Sequence, residues 1–144
     1  MTTTGDYVPS PSAWVRDQVD TIEATGTTGS VDIQGYPVVL LTMRGARSGA
    51  IRKVPLMRVE HDGAYAAVAS KGGHPDHPEW YFNLKAHPEI SLQDGTETFT
   101  VHARELDKDE RAAWWPRCVD AFPPYAEYQQ KTDRLIPVFA LERR

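Results

Sequence analysis

The sequence predicts a mainly β, α+β fold, in which a curled antiparallel sheet or small barrel of about six short strands carries flanking helices. Hairpin-length links join the strand-like segments within each of two groups, which favours antiparallel pairing over β-α-β units. A chain of 144 residues holds one domain with a substantial core. A sheet that curls on itself protects the edges of so many short strands.

An arm and a helix precede the first strand. The first ten residues are polar and predict a mobile arm. Val15, Val19 and Ile22 then recur at helical spacing, and "GTTGS" follows them. This pattern predicts a short amphipathic helix over residues 12–24 that stops at the glycine.

Three strand-like segments follow. Residues 37–43, "PVVLLTM", form an unbroken apolar run that is typical of a strand buried on both faces. The turn "GARSG" leads into a strand over residues 51–60, where Pro55 marks a bulge or an edge position. "HDG" then reads as a hairpin loop before a third strand, "AYAAVAS".

A helix separates these strands from the second group. Asp76 and Glu79 fit a helix capping box, with Pro78 in the first turn. Trp80 and Leu84 share one face of this helix, which ends at the following His-Pro pair because the residue before a proline avoids the helical region.

The last part of the chain predicts a hairpin, two helices and a strand. Residues 89–93 and 97–104 flank the turn "DGTE" and predict the hairpin. Asp107 and Glu110 form a second capping box, which starts another helix. The prolines of "FPPYAEY" break that helix and start a short one, and "IPVFALE" predicts the closing strand.

Charge and cysteine content exclude several function classes. A formal net charge of −4 argues against a general nucleic-acid binder. Cys118 is the only cysteine, which excludes a disulfide framework, a redox thiol pair and a thiolate metal cluster. No secretory signal or apolar run of about 20 residues is recognisable, so we expect a cytoplasmic protein.

Positive charge gathers around the glycine turn. Five cations and no carboxylate occur from residue 44 to residue 58, and Lys71 follows one strand later. On adjacent antiparallel strands these side chains can face one groove, where guanidinium groups suit phosphate or carboxylate. The stretch therefore favours a phosphate-bearing ligand over a solvated strand face. The five cations are Arg44, Arg47, Arg52, Lys53 and Arg58.

Two further clusters allow alternative interpretations. His74, Asp76 and His77 have the residue types of a metal site, but prolines and helix capping explain their spacing better, so no metal is predicted. Tyr125 and Tyr128 share a helix face. They belong either to an aromatic core stripe or to a cover for a flat ring that can donate a proton.

Four stretches, in this order, resemble the deazaflavin-dependent nitroreductase family, whose members are F420H2-dependent quinone reductases and nitroreductases. The likeness covers residues 35–143 and implies an antiparallel split β-barrel that binds coenzyme F420, an 8-hydroxy-5-deazaflavin with a phosphate and an oligoglutamate tail. It divides the single domain into an arm and helix, residues 1–34, and a deazaflavin-binding barrel, residues 35–144. The stretches are "PVVLLTMRGARSGAIRKVPL", "VASKGG…PEWYFNLKAHPEI", "ERAAWWP" and "FPPYAEYQQKTDRLIPV".

The resemblance also implies roles for individual residues. Ser70, Tyr125 and Tyr128 match positions linked to substrate binding and protonation. Arg52, Lys53 and Lys71 would meet the phosphate and the tail carboxylates. The full implied cofactor-binding set is Ala46, Arg47, Ser48, Arg52, Lys53, Val54, Pro55, Leu56, Met57, Val68, Ala69, Ser70, Lys71, Glu79, Trp80, Tyr81, Phe82, Asn83 and Tyr125.

The implied activity is hydride transfer from F420H2 to an electron-poor small molecule: a quinone, a nitro compound or an activated C=C bond such as that of an unsaturated lactone. Phe122 stands where some members carry a tyrosine, so we expect weak or altered nitroimidazole turnover. The alternatives are an FMN-binding split-barrel oxidoreductase and a non-catalytic F420 carrier. The expected assembly is a monomer or homodimer. No motif supports peripheral attachment to the inner face of the membrane, which stays an alternative.

Overall fold

The computed structural model describes residues 6–144 of the chain. Within residues 6–144, two short 3-10 turns, Thr28–Ser30 and Lys71–Gly73, accompany four helices and seven strands. The helices are α1 (Ala13–Thr25), α2 (Glu79–Ala86), α3 (Lys108–Ala121) and α4 (Pro124–Gln130). The strands are β1 (Val38–Arg44), β2 (Ile51–Met57), β3 (Glu60–His61), β4 (Ala64–Val68), β5 (Glu89–Asp94), β6 (Glu97–Glu105) and β7 (Val138–Arg143).

All seven strands form one sheet in the order β2-β1-β5-β6-β7-β4-β3, and every neighbouring pair is antiparallel. The mainly β, α+β prediction is therefore confirmed. The sheet curls into a half-barrel, consistent with a split β-barrel. The strand expected over residues 51–60 is divided into β2 and β3. This division explains why the sheet has seven strands where about six were predicted.

The division lies where backbone hydrogen bonding changes partner. The Arg58 N–H donates to Pro37 O beside β1 at 3.0 Å, whereas Val59 O accepts from the Ala66 N–H of β4 at 2.9 Å. One continuous segment thus bonds first to one end of the sheet and then to the other. This arrangement draws the two edges of the sheet together.

The prediction that Pro55 marks a bulge or an edge position is confirmed, because β2 is an edge strand of the sheet. The expectation of a free arm is wrong for the described part of the arm. Ile51 donates its N–H to Asp6 O at 2.8 Å and accepts from the Val8 N–H at 2.9 Å, which holds residues 6–8 alongside β2. Residues 1–5 of the predicted arm lie outside the described residues.

The core has two faces, as expected from strands whose side chains alternate. On one face of the sheet, β1 contributes Val39, Leu41 and Met43 to a cluster with side chains from β4 to β7. On the opposite face, α3 and α4 cover a second cluster, which includes Val38 and Met57. The unbroken apolar run of β1 is explained because both of its faces are buried.

The first helix follows the sequence signals. The side chain of Ser12 accepts the N–H of Val15, and Gly26 ends α1 in the left-handed conformation. Val19 and Ile22 are 1% exposed and pack against Leu40 of β1. Within residues 6–144, no helix is long and apolar enough to cross a lipid bilayer.

The two capping boxes behave differently. Asp107 caps α3 and accepts the N–H of Glu110 at 2.9 Å, as predicted. The box at Asp76 is wrong, because the N-cap of α2 is Pro78, whose side chain makes no capping hydrogen bond. A proline in extended conformation at that position places Asp76 outside the helix start.

Candidate active site

Two adjoining cavities, about 260 and 130 Å³ in volume, form a groove between the β1–β2 turn, strand β2 and helix α2. They share Arg52, Glu79 and Asn83 as lining residues, so they adjoin each other. The first cavity is also lined by Gly45, Ala46, Arg47, Ser48 and Phe82. The second is also lined by Ser10, Val15, Met43, Lys53, Val54 and Trp80.

The turn at the head of the groove presents backbone donors. Gly45 O accepts the N–H of Gly49 at 3.1 Å, and Gly49 adopts a φ of 71°, which favours glycine. Among residues 6–144, the backbone N–H groups of Arg47 and Ser48 have no hydrogen-bond acceptor. Both groups are therefore available to an anion in the groove.

Arg47, Arg52 and Lys53 bring three cations to the groove, whereas Arg44 and Arg58 line neither cavity. Glu79 is a carboxylate that lines both cavities. The groove therefore carries more positive than negative charge and offers guanidinium groups to an anion. These donors fit phosphate and carboxylate groups, such as those of the implied coenzyme.

Two of these cations already hold contacts with the N-terminal segment. The guanidinium of Arg52 donates to Val8 O at 3.2 Å. The ammonium of Lys53 forms a hydrogen-bonded ion pair with Glu23 of α1 and lies 5.0 Å from the ring centre of Tyr7. No local sequence pattern indicated these contacts, because their partners lie more than 25 residues away along the chain.

Helix α2 forms one wall of the groove through Glu79, Trp80, Phe82 and Asn83. Tyr81, which the resemblance includes, points elsewhere. Its ring stacks on His77 at 4.0 Å, and its hydroxyl donates to Glu105 at 3.1 Å. Burial, together with that carboxylate, raises the pKa of Tyr81.

The tyrosines of α4 form a second region, together with side chains of α3. Tyr125 is 5% exposed and its ring lies 5.0 Å from that of Phe122 and 6.2 Å from that of Tyr128. Burial raises the pKa of Tyr125 well above its ordinary value, so its phenol stays protonated. Tyr128 is only partly buried and packs at the border of the same cluster.

Ser70 lies beside this region in the loop after β4. Gly73 of this loop packs so tightly on α4 that a Cβ there would lie 2.7 Å from Tyr128 O. The structure thus brings Ser70, Tyr125 and Tyr128 to the same part of the molecule. Lys71 is exposed in this loop and lines neither cavity, so it does not join Arg52 and Lys53 there.

Arg134 fixes this loop, and sequence reasoning missed it. Its guanidinium donates to Ala69 O at 3.1 Å, Ser70 O at 2.9 Å and His74 O at 2.9 Å. Desolvation lowers the pKa of Arg134, although three carbonyl oxygens surround its charge. "TDRLIPV" contains this arginine, but no spacing rule shows which distant carbonyls it reaches.

Strand β2 connects the two regions. Arg52 lines the groove near its start, and Met57 at its end shares a cluster with Tyr125 and Val68. The five steps between them span about 17 Å of extended strand. Of the residues between, Val54 lines the second cavity, Pro55 is buried and Leu56 packs against the cluster that contains Val39. Ala69 is buried beyond Val68 in the loop after β4.

The side chains of His74 and His77 make separate contacts. His74 Nδ1 lies 3.8 Å from Asp76, while His77 stacks on Tyr81. Within the described part of the chain, no three His, Cys, Asp or Glu side chains are placed to hold a metal ion. Burial raises the pKa of Cys118 to about 12, so its thiol stays protonated in the core, as expected for an inert cysteine.

Comparisons with known proteins agree with the fold and the motifs. The profile of the F420H(2)-dependent quinone reductase family matches residues 14–143. An F420H(2)-dependent quinone reductase of Mycobacterium tuberculosis is 38% identical over 125 residues, 83% of this chain and 84% of that protein. The solved structure of an F420-H2 dependent reductase is 62% identical, has a TM-score of 0.70 and matches 74% of this chain and 94% of its own. A solved domain-swapped dimer is 57% identical, has a TM-score of 0.73 and matches 92% of this chain and 100% of its own.

Proposed function

The chain belongs to the F420H(2)-dependent quinone reductase family, and from this premise we propose that it reduces a quinone with F420H2 bound along β2. Its cofactor is F420. When bound, F420H2 supplies a hydride, which an electron-poor acceptor can take up. The protein's own part is to bind, orient and protonate.

The cationic groove is the observation that carries this proposal. Arg47 and Arg52 and the free N–H groups of the turn suit a phosphate, and Lys53 suits a carboxylate of the tail. Glu79 opposes part of this charge, which limits how many anionic groups the groove can hold. We assign the phosphate and tail to this groove and the ring to the tyrosine region at the other end of β2.

The tyrosine region would handle the proton. Tyr125 keeps its phenolic proton because burial raises its pKa, so its hydroxyl can donate a hydrogen bond to a ring or acceptor oxygen. Tyr128 is partly buried at the border of this region, and Ser70 is 8% exposed in the adjoining loop; these two side chains would supply the proton that the reduced acceptor needs. The cluster around Phe122 excludes water from the buried side.

The groove extends beyond residues 35–144. Ser10 and Val15 line the second cavity, so the arm and α1 contribute to the groove wall. We propose that residues 35–144 hold the coenzyme and that residues 6–25 cover the end of its site.

Anaerobic assay of the purified protein tests the activity. F420H2 oxidation that requires both the protein and a menaquinone analogue is the expected result. Binding without turnover would favour the carrier alternative. Tight binding of FMN with no binding of F420 would contradict the cofactor assignment.

We further propose that nitro compounds and unsaturated lactones also serve as acceptors. Phe122 has no hydroxyl and is 3% exposed, so it cannot donate a hydrogen bond to a nitro oxygen. We expect quinones to be reduced faster than nitroimidazoles under the same conditions. Phe122→Tyr should raise nitroimidazole turnover relative to quinone turnover, and an unchanged ratio would contradict this role.

A homodimer is the assembly that we infer, because the 57% identical neighbour is a domain-swapped dimer. Light scattering coupled to size-exclusion chromatography checks this inference. A mass of about 16.2 kDa, that of one chain, would contradict it.

A further inference from the structure

The carboxylate of Glu23 pairs with the ammonium of Lys53, the group that we assign to the tail of the coenzyme. Its carboxylate accepts a hydrogen bond from Lys53 Nζ across 30 positions of sequence. The Lys53 side chain is 20% exposed and that of Glu23 49% exposed, so the pair lies at the mouth of the groove. Lys53 also lines the second cavity.

The contact is chemically the same as the one that the tail would make. A glutamate carboxylate of the tail and the carboxylate of Glu23 both offer two acceptor oxygens to one ammonium. Two carboxylates at one cation repel each other, so the tail has to displace Glu23 or share Lys53 at a cost. The deazaflavin ring carries no such carboxylate.

From this geometry we propose that Glu23 is a built-in competitor for the cofactor tail, which sets how strongly the tail contributes to affinity. This inference rests on the proposed anion site. Glu23 weakens every ligand that needs Lys53 and leaves tail-less ligands unaffected. It is therefore a determinant of cofactor specificity carried by α1, outside the barrel.

Titration with two ligands tests the inference. F420 carries the phosphate and tail, whereas the deazaflavin riboflavin analogue FO has the ring and ribityl chain but neither acidic group. Glu23→Gln should tighten F420 binding by about two- to fivefold, the range expected for removal of an exposed ion pair. FO affinity should stay within error of the wild type, as measured by ligand fluorescence.

Asp17→Asn is the matched control. It removes one negative charge from the same helix, and within residues 6–144 Asp17 forms no ion pair. It should leave F420 affinity nearly unchanged. An equal gain from both variants would show a diffuse charge effect and overturn the inference.

A double-mutant cycle locates the effect at one atom pair. In a Lys53→Gln background, Glu23→Gln should no longer alter F420 binding, because the contested ammonium is gone. The inference is contradicted if Glu23→Gln leaves F420 binding unchanged in the wild-type background, or tightens FO as much. If the wild-type protein does not bind F420, the proposed function itself is contradicted.

Discussion

The side-chain oxygen of Asn83 accepts the backbone N–H of Ala46 at 2.9 Å, across 37 positions of sequence. Its amide nitrogen lies 3.7 Å from Met43 Sδ on β1, in a buried contact. Asn83 is 9% exposed. One amide therefore joins helix α2 to the β1–β2 turn and fixes the two walls of the groove against each other.

Asn83→Ala should separate these walls. The Ala46 N–H would lose its acceptor, so we expect the free energy of unfolding to fall by about 1–3 kcal/mol in urea denaturation. Asn83→Asp keeps the acceptor oxygen but adds a negative charge to the groove, so F420 affinity should fall more than in Asn83→Ala. Equal F420 affinities in the two variants would contradict an electrostatic role for the groove.

Gly72 and Gly73 offer a matched pair of substitutions. Both have positive φ values, 64° and 85°, but a Cβ at Gly72 meets nothing within 4 Å. Gly72→Ala should cost about 1–2 kcal/mol of unfolding free energy, from backbone conformation alone. Gly73→Ala should cost about 1–3 kcal/mol more, because its Cβ would collide with Tyr128 O. Similar denaturation midpoints for the two variants would contradict the tight contact between loop and α4.

Arg134→Met should release the loop that carries Ser70. Three carbonyl oxygens would lose a charged donor, and we expect backbone amides of residues 69–74 to exchange hydrogen at least about tenfold faster. Arg134→Lys should recover only part of the protection, since an ammonium lacks the planar fork of a guanidinium. Arg117→Met removes the same charge from a guanidinium that stacks on Trp114 at 4.9 Å, and serves as control. Wild-type exchange rates in Arg134→Met would contradict this role.

Because of Asp94, the free energy of unfolding should depend on pH in the acid range. Burial alone would raise its pKa, but hydrogen bonds from Arg58 at 3.0 Å and from Tyr65 at 2.6 Å outweigh burial and lower the pKa of Asp94. A carboxyl group whose pKa is lower in the folded state stabilises the fold at pH values above its pKa in the unfolded state, about 3.9. This stability is lost as the pH falls through the pKa of the folded state.

Asp94→Asn should therefore be less stable than the wild type at pH 7, and the difference should shrink below about pH 4. Urea denaturation at several pH values measures it. A difference between Asp94→Asn and the wild type that stays constant with pH would contradict this assignment.

Local signals account for most of the fold. Ser12, Gly26 and Asp107 act on their own helix ends, so short-range patterns sufficed to place α1 and α3. The break between β2 and β3 was missed because it arises from a change of hydrogen-bond partner between distant strands. The capping box predicted at Asp76 was wrong because Pro78 occupies the N-cap position of α2.

The site was only partly predictable. Charge alone pointed to the turn with Arg47, Arg52 and Lys53, because a run of cations without a neighbouring carboxylate is visible in the sequence. The contacts of Arg134 and Glu23 were not predictable, since their partners lie 64 and 30 positions away and depend on how helices pack on the sheet.

Binding of F420 and FO to Arg52→Ala/Lys53→Ala tests the central claim most directly. If these cations hold the phosphate and tail, the double variant should bind F420 at least about tenfold more weakly, a loss of about 1.4 kcal/mol, and bind FO as the wild type does. Lys108→Ala/Arg143→Ala removes two charges outside the groove and should change neither affinity. Undiminished F420 affinity in Arg52→Ala/Lys53→Ala, or an equal loss for both ligands, would contradict the account.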